Sequence, residues 1–221
     1  MVHIGGVGCT ARIPVYLKTD MFHGVHGRTL GWATGVKMMR PDVPVVIFAG
    51  DGDVSSIGGN HLIHAARRNL DVTVVMVNNL NFAMTGGQVA PTTPEDSRTM
   101  TTPYGSAEPR FDVCELVKAA GATHVERWTT AQPAQCKKAM ERALTHKGFS
   151  LIEIVSQCPT HFGRYALKTG DPNAVLEWIK GYTYTDAQAK KMSPEELEGK
   201  LRCGQYICVE KPVYAGTTNM M

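Results

Sequence analysis

The sequence predicts an α/β protein, built as a three-layer, doubly wound and mainly parallel sheet. Two short β-branched apolar runs carry the prediction. Val45 to Phe48 is stopped by Gly50-Asp51-Gly52-Asp53, and Val72 to Val77 by Asn78-Asn79. Runs of this kind read as strands buried on both faces of a parallel sheet. Between them, Ile57 to Arg68 is long enough for the crossover helix that two parallel strands require. Both polar clusters therefore fall at carboxyl ends of strands, where open α/β sheets bind their ligands.

The remaining elements follow in order. Val2 to Val7 reads as a strand, with Gly5-Gly6-Val7-Gly8-Cys9-Thr10 as a glycine-rich turn at its carboxyl end. His23 and His26 alternate with Gly24 and Gly27, and a helix from Thr29 to Met39 ends before Pro41. His61 and His64 fall within the crossover helix and read as packing or solvent-facing residues. The stretch after Asn79, as far as Phe111, is a long Thr-, Pro- and Gly-rich loop, a length that usually marks a lid or binding loop. Within it, Thr85-Gly86-Gly87-Gln88 has the groups to wrap a ligand. Val113, Leu116, Val117 and Ala120 share one helical face, which Gly121 closes. Thr123 to Trp128 reads as a strand, Gln132 to His146 as a helix and Ser150 to Val155 as a strand ending at Ser156-Gln157-Cys158. Beyond the turn Thr169-Gly170-Asp171-Pro172, a helix is expected over Asn173 to Tyr182. Ser193-Pro194-Glu195-Glu196 is an N-cap with a capping-box glutamate. Arg202 to Val209 reads as a last strand, and Thr217 to Met221 as disordered.

The chain has 221 residues, 43% hydrophobic and 19% charged, with a formal charge of +3. That is room for one α/β domain, residues 1–168, and a C-terminal extension, 169–221, too poor in apolar residues for its own core. The small charge, with no basic run interleaved with aromatics, argues against nucleic acid as a partner. No apolar stretch approaches the about 18 residues of a membrane helix, and MVHIGGVGCTARIP lacks the pattern of a signal peptide. Six cysteines without a CxxC are expected to stay reduced in the cytoplasm.

The two strand ends offer specific chemistry. Asp51 supplies a carboxylate, Asn79 an amide oxygen, and the backbone near Asn81 a carbonyl, hard donors that suit Mg²⁺ and a phosphate-bearing ligand. Gly50 and Gly52 let the main chain approach a diphosphate. A GDG closing one strand and an NN closing the next, with Asp51 and Asn79 28 positions apart, resembles the thiamine diphosphate motif.

GGVGCTARIP, FHGVHGR, GDGDVSSIGGNHLIHAARRN, VNNLNFAMTGGQ, PTTP, SQCPTHFGR and SPEELEGK together resemble the β subunits of 2-oxoacid:ferredoxin oxidoreductases, most closely the 2-oxoglutarate type. The resemblance implies Mg²⁺ on Asp51, Asn79 and the Asn81 carbonyl. It implies diphosphate contacts from Gly52, Asp53 and the backbone near Ala83 and Met84. Val7, Gly8, Cys9 and Thr10 would line the thiamine end, with His26 approaching the cofactor. Cys9 and Cys158 would be two ligands of a [4Fe-4S] cluster. The family's other two ligands form an upstream CxxC that this sequence does not contain, and the chain is expected to lack its first few tens of residues. The loop also has Phe82-Ala83-Met84 where relatives often show Tyr-Gly-Met.

The implied reaction is oxidative decarboxylation of 2-oxoglutarate to succinyl-CoA and CO₂, with electrons passed to ferredoxin. No catalytic residue is assigned in this chain, because the family's activating glutamate comes from the α subunit, an obligate partner beside which γ and δ subunits can assemble. The residues alone leave open a pyruvate-specific relative, a thiamine diphosphate enzyme without iron–sulfur chemistry, and a subunit that kept the fold without activity.

Overall fold

The computed structural model describes residues 1–214. Eight strands form one sheet: β1 (Val2–Gly5), β2 (Asp20–His23), β3 (Val45–Gly50), β4 (Thr73–Asn78), β5 (His124–Thr129), β6 (Ser150–Val155), β7 (Thr183–Thr185) and β8 (Leu201–Cys208). Their order across the sheet is β2-β1-β3-β4-β6-β5-β8-β7. Neighbours run parallel except β5 and β8, which pair antiparallel with a bulge at Val125/Glu126. The core strands are β-branched and buried on both faces, as expected of a sheet covered by helices on each side.

Helices α1 (Thr29–Met39), α2 (Gly59–Arg67) and α3 (Val113–Ala120) cover one face. Leu30, Ala33, Leu62, Ala66 and Val117 pack there on Ile4, Ile47, Val74 and Leu151. On the other face lies α4 (Pro133–Thr145), whose Ala139 and Ala143 meet Ile152. Each large aliphatic side chain so buried contributes about 1.5–3 kcal/mol. Asp112 caps α3 by accepting from the Glu115 amide, and Gly121 ends it at φ 115°, a conformation glycine takes without strain.

After Val155 the chain makes a π-helical turn, Pro159–Gly163, that runs into the short α5 (Arg164–Ala166). The C-terminal segment supplies α6 (Pro172–Tyr182), α7 (Asp186–Ala189), α8 (Pro194–Leu197) and strands β7 and β8. Val175 and Ile179 of α6 and Leu201 of β8 pack on Val155, joining the segment to the main sheet. The Ser193–Glu196 capping box forms as its sequence indicates. Sequence reasoning did not find β2, β7 or the 3₁₀ helix Thr10–Tyr16. The disorder expected over Thr217 to Met221 lies outside the described residues.

Register decides where the polar clusters meet. Gly50 pairs with Val77, and Asn78 with Val155. Asp51, Asn79 and Ser156 are therefore the first residues past three adjacent strand tips.

Candidate active site

A cleft of about 170 Å³ opens at these tips. Val7, Gly8, Cys9 and Thr10 line it from the turn after β1, and His26 from the turn before α1. Asp51, Gly52 and Asp53 follow β3, and Asn79, Asn81, Ala83 and Met84 follow β4. Of the cofactor and metal residues that the resemblance implies, Cys158 is not among those lining the cleft, and of the Thr85–Gln88 stretch Thr85 lines it while Gly86, Gly87 and Gln88 do not.

Asp51 is buried and begins the helical turn Gly52–Ile57, which has π-helical bonding. Burial pushes its carboxyl up to about 7, against hydrogen bonds from Thr92 and from the backbone that pull it down. Its donors are uncharged: the Thr92 hydroxyl, 2.5 Å from Asp51 Oδ2, and main-chain amides. A buried carboxylate in that setting calls for a cation.

One terminal atom of the Asn79 amide lies 3.2 Å from Asp51 Oδ1 and 2.7 Å from the Asn81 carbonyl oxygen. With the amide oxygen there, three oxygens meet with no hydrogen between them. Turned over, the amide NH₂ would donate to both. The oxygen-inward arrangement is favourable only around a cation, and one carboxylate, one amide and one carbonyl form a donor set that Mg²⁺ accepts. The residues present therefore fit a divalent ion. Among the described residues no three His, Cys, Asp or Glu side chains converge as metal ligands. This cluster differs because two of its three oxygens are amide oxygens.

The glycines fit a ligand whose phosphates lie close to the main chain. A Cβ added at Gly8, which has φ 127°, would meet no protein atom within 4 Å. A Cβ at Gly52 would instead overlap the Phe82 ring. Main-chain amides at the start of the Gly52–Ile57 turn are suited to an anion.

Asp53 does more in the structure than its sequence context indicates. Its carboxylate accepts from the Gly27 amide at 2.5 Å and the Val7 amide at 3.3 Å. His26 Nδ1 stands 2.6 Å from Asp53 Oδ1, off the line of a hydrogen bond. Burial raises the Asp53 pKa, while the Gly27 amide and His26 oppose the rise. One buried side chain thus draws three cleft loops together, and a Cβ at Gly6 would overlap its Oδ2.

The Thr85–Gln88 stretch is closed on itself: Thr85 Oγ1 lies 2.6 Å from Gln88 Oε1, and the Gly87 amide donates to the Phe82 carbonyl at 2.9 Å. Cys9 is exposed; Cys158 is buried, its Sγ 4.0 Å from Asn81 Oδ1. Two cysteines do not make a four-thiolate site, so the described residues alone do not fit an iron–sulfur cluster. Thr92, Phe82 and Asn78 were missed as contributors. The PTTP segment was the sequence signal for Thr92, and the first Asn of the NN pair the signal for Asn78.

Residues 6–154 match the family described as thiamine pyrophosphate enzyme, C-terminal TPP binding domain. The chain is 47% identical over 213 residues to the 2-oxoglutarate synthase subunit KorB of Methanocaldococcus jannaschii, covering 96% of this chain and 78% of that one. The corresponding Methanothermobacter marburgensis subunit is 48% identical over 209 residues, covering 95% and 73%. Among solved structures, a 2-oxoglutarate:ferredoxin oxidoreductase from Magnetococcus marinus, with 2-oxoglutarate, coenzyme A and succinyl-CoA bound, superimposes with a TM-score of 0.85. It is 30% identical, and the match covers 99% of this chain and 75% of that chain. Glycine-lined cleft, oxygen cluster and sequence kinship agree, and the chain belongs to the thiamine pyrophosphate enzymes, among the KorB subunits of 2-oxoglutarate synthases.

Proposed function

We propose that this chain is the cofactor-binding β subunit of a 2-oxoglutarate:ferredoxin oxidoreductase, which converts 2-oxoglutarate and coenzyme A to succinyl-CoA, CO₂ and a proton, with two electrons passed to ferredoxin. The observation that carries the reading is the meeting of Asp51, Asn79 and the Asn81 carbonyl beside a glycine-lined cleft at the carboxyl edge of the parallel sheet. Thiamine diphosphate, when bound, supplies the electron sink that decarboxylation of a 2-oxoacid needs. Asp51, Asn79 and Asn81 would hold Mg²⁺, and Gly52 with the main chain at Ala83 and Met84 would flank the diphosphate. Asp53 fixes the loops bearing Val7 and His26 at the thiamine end. Gly8, Cys9 and Thr10 line the same cleft, Cys9 exposed.

The activating glutamate is assigned to the α subunit and to no residue here, so the complex is the active unit. Further γ and δ subunits and ferredoxin complete the expected assembly. Val7 and Met84, exposed apolar residues at the cleft, support a partner surface there. All six cysteines are unpaired, which suits a reducing cytoplasm. No helix among the described residues is long and apolar enough to cross a membrane. No electron-transfer step is assigned to Cys9 or Cys158.

The test is calorimetry of thiamine diphosphate binding to the assembled complex, with and without Mg²⁺, for the wild type, Asp51→Ala and Asn79→Ala. Binding that needs Mg²⁺ and is lost in both variants is expected. Wild-type binding without any Mg²⁺ requirement would sink the metal assignment. Faster dye reduction with pyruvate than with 2-oxoglutarate would sink the substrate assignment.

A further inference from the structure

Leu80 stands between two of the oxygen donors and has φ 64°, a backbone conformation that side chains of its size rarely adopt. It is 1% exposed. Its amide donates to Asn78 Oδ1 at 3.1 Å, and its carbonyl accepts from Thr93 Oγ1 at 2.7 Å. Both holds are anchored in turn. Asn78 Nδ2 donates to Glu153 Oε1 at 2.7 Å, and Thr93 Oγ1 accepts from the Ala90 amide at 2.8 Å. Asn78, Thr93 and Glu153 are all buried.

The geometry of the turn depends on this conformation. The left-handed residue reverses the chain so that the Asn81 carbonyl comes back to within 2.7 Å of the Asn79 side chain. At the negative φ Leu80 would otherwise prefer, the flanking peptide planes rotate and the carbonyl leaves the cluster. Asn81 Nδ2 also bonds the Asn79 carbonyl at 2.6 Å, but that ties the two ligand residues only to each other. The bonds from Asn78 and Thr93 tie the turn to the rest of the protein.

We propose that Asn78 and Thr93 are positioning residues: by gripping the two ends of the left-handed Leu80 they hold the Asn79 amide and Asn81 carbonyl in place and so set the Mg²⁺ requirement of cofactor binding. The inference rests on the functional reading above and assigns to the first Asn of the NN pair, and to the second Thr of PTTP, a role in metal affinity without contact to metal. Supporting groups of this kind typically change metal affinity by about 10–100-fold.

The experiment uses the assembled complex and measures the Mg²⁺ concentration at half-maximal thiamine diphosphate binding, with the unfolding temperature recorded alongside. Thr93→Val keeps the shape and removes the hydroxyl; Thr93→Ser restores it. The expected result is a requirement raised about tenfold or more in Thr93→Val and returned toward wild type in Thr93→Ser. A Thr93→Val complex with wild-type Mg²⁺ dependence overturns the proposal, whatever its unfolding temperature. Equal loss in Thr93→Ser overturns it as well, since a structural defect at the site would not follow the hydroxyl. If Thr93→Val does not assemble, Asn78→Ala supplies the second reading: a raised requirement supports the proposal and an unchanged one overturns it. Failure of the wild-type complex to bind the cofactor with Mg²⁺ would instead overturn the functional reading.

Discussion

Replacing Arg127 by methionine should cost far more than its place in the middle of a strand indicates. Arg127 is fully buried, and its guanidinium donates to Glu153 Oε2 at 2.8 Å, Asp112 Oδ1 at 2.6 Å and the Tyr206 hydroxyl at 2.5 Å. Glu153 is buried too, so Arg127→Met leaves a carboxylate with only neutral donors, Asn78 and Cys114. Breaking a buried pair from one side costs about 3–5 kcal/mol. At about 2–4 °C per kcal/mol for a chain of this size, the unfolding temperature should drop by roughly 6–20 °C. The control is Arg40→Ala: Arg40 and Asp42 are both 65% exposed in their pair, and its loss should leave stability close to that of the wild type. Urea unfolding and thermal unfolding at neutral pH measure all variants. Adding Glu153→Gln to Arg127→Met removes the stranded charge yet keeps an oxygen for Asn78, so the double variant should regain part of the loss. A single-variant loss below about 1 kcal/mol, or a double variant weaker than Arg127→Met, would refute the reasoning.

Three further outcomes are expected. Burial alone would raise the Glu126 pKa, but hydrogen bonds from His124, Arg142 and Trp128 bring it down to about 2, below the ordinary 4.5. Its stabilising contribution is therefore full above pH 4.5 and lost as pH falls from there to about 2. Glu126→Gln should flatten that part of an acid unfolding profile, by up to about 3 kcal/mol, and an unchanged acid limb would contradict the assignment. Gly52→Ala drives a Cβ into the Phe82 ring; it should destabilise by about 1–3 kcal/mol and weaken cofactor binding, whereas wild-type affinity by calorimetry would mean the ring is free to move. Ser193→Ala removes the acceptor of the Glu196 amide, with a loss of about 1 kcal/mol in urea unfolding and none in cofactor binding.

What could be read from the residues divides along physical lines. The strand-end places of Asp51 and Asn79 were legible because each follows a β-branched run that glycine or asparagine stops, so strand ends and the proposed ligands shared one signal. Helix α3 was legible from its apolar face and its closing Gly121. Strand β2 was not, because Asp20-Met21-Phe22-His23 lies exposed on a sheet edge and has no burial pattern to impress on its sequence. Thr92 reaches Asp51 across 41 positions, and Arg127 reaches Tyr206 across 79. Contacts of that span leave no periodic trace, and charged residues in β5 and β6 gave no local sign of being buried partners. The positive φ of Leu80 was equally hidden, since leucine is not a residue that announces such a turn.

The two rims of the sheet are unequal. At one, β7 is three residues long and half-buried, too short to template another strand. At the other, β2 shows all four residues to solvent, Met21 and Phe22 included, and the Phe22 ring lies 5.1 Å from that of Trp32. Among the described residues no strand pairs with its outer row of amides and carbonyls, the kind of edge that an extended segment can join. A preparation of this chain by itself should therefore be prone to precipitation, and co-expression with its companion subunits is the practical route to material for every measurement above.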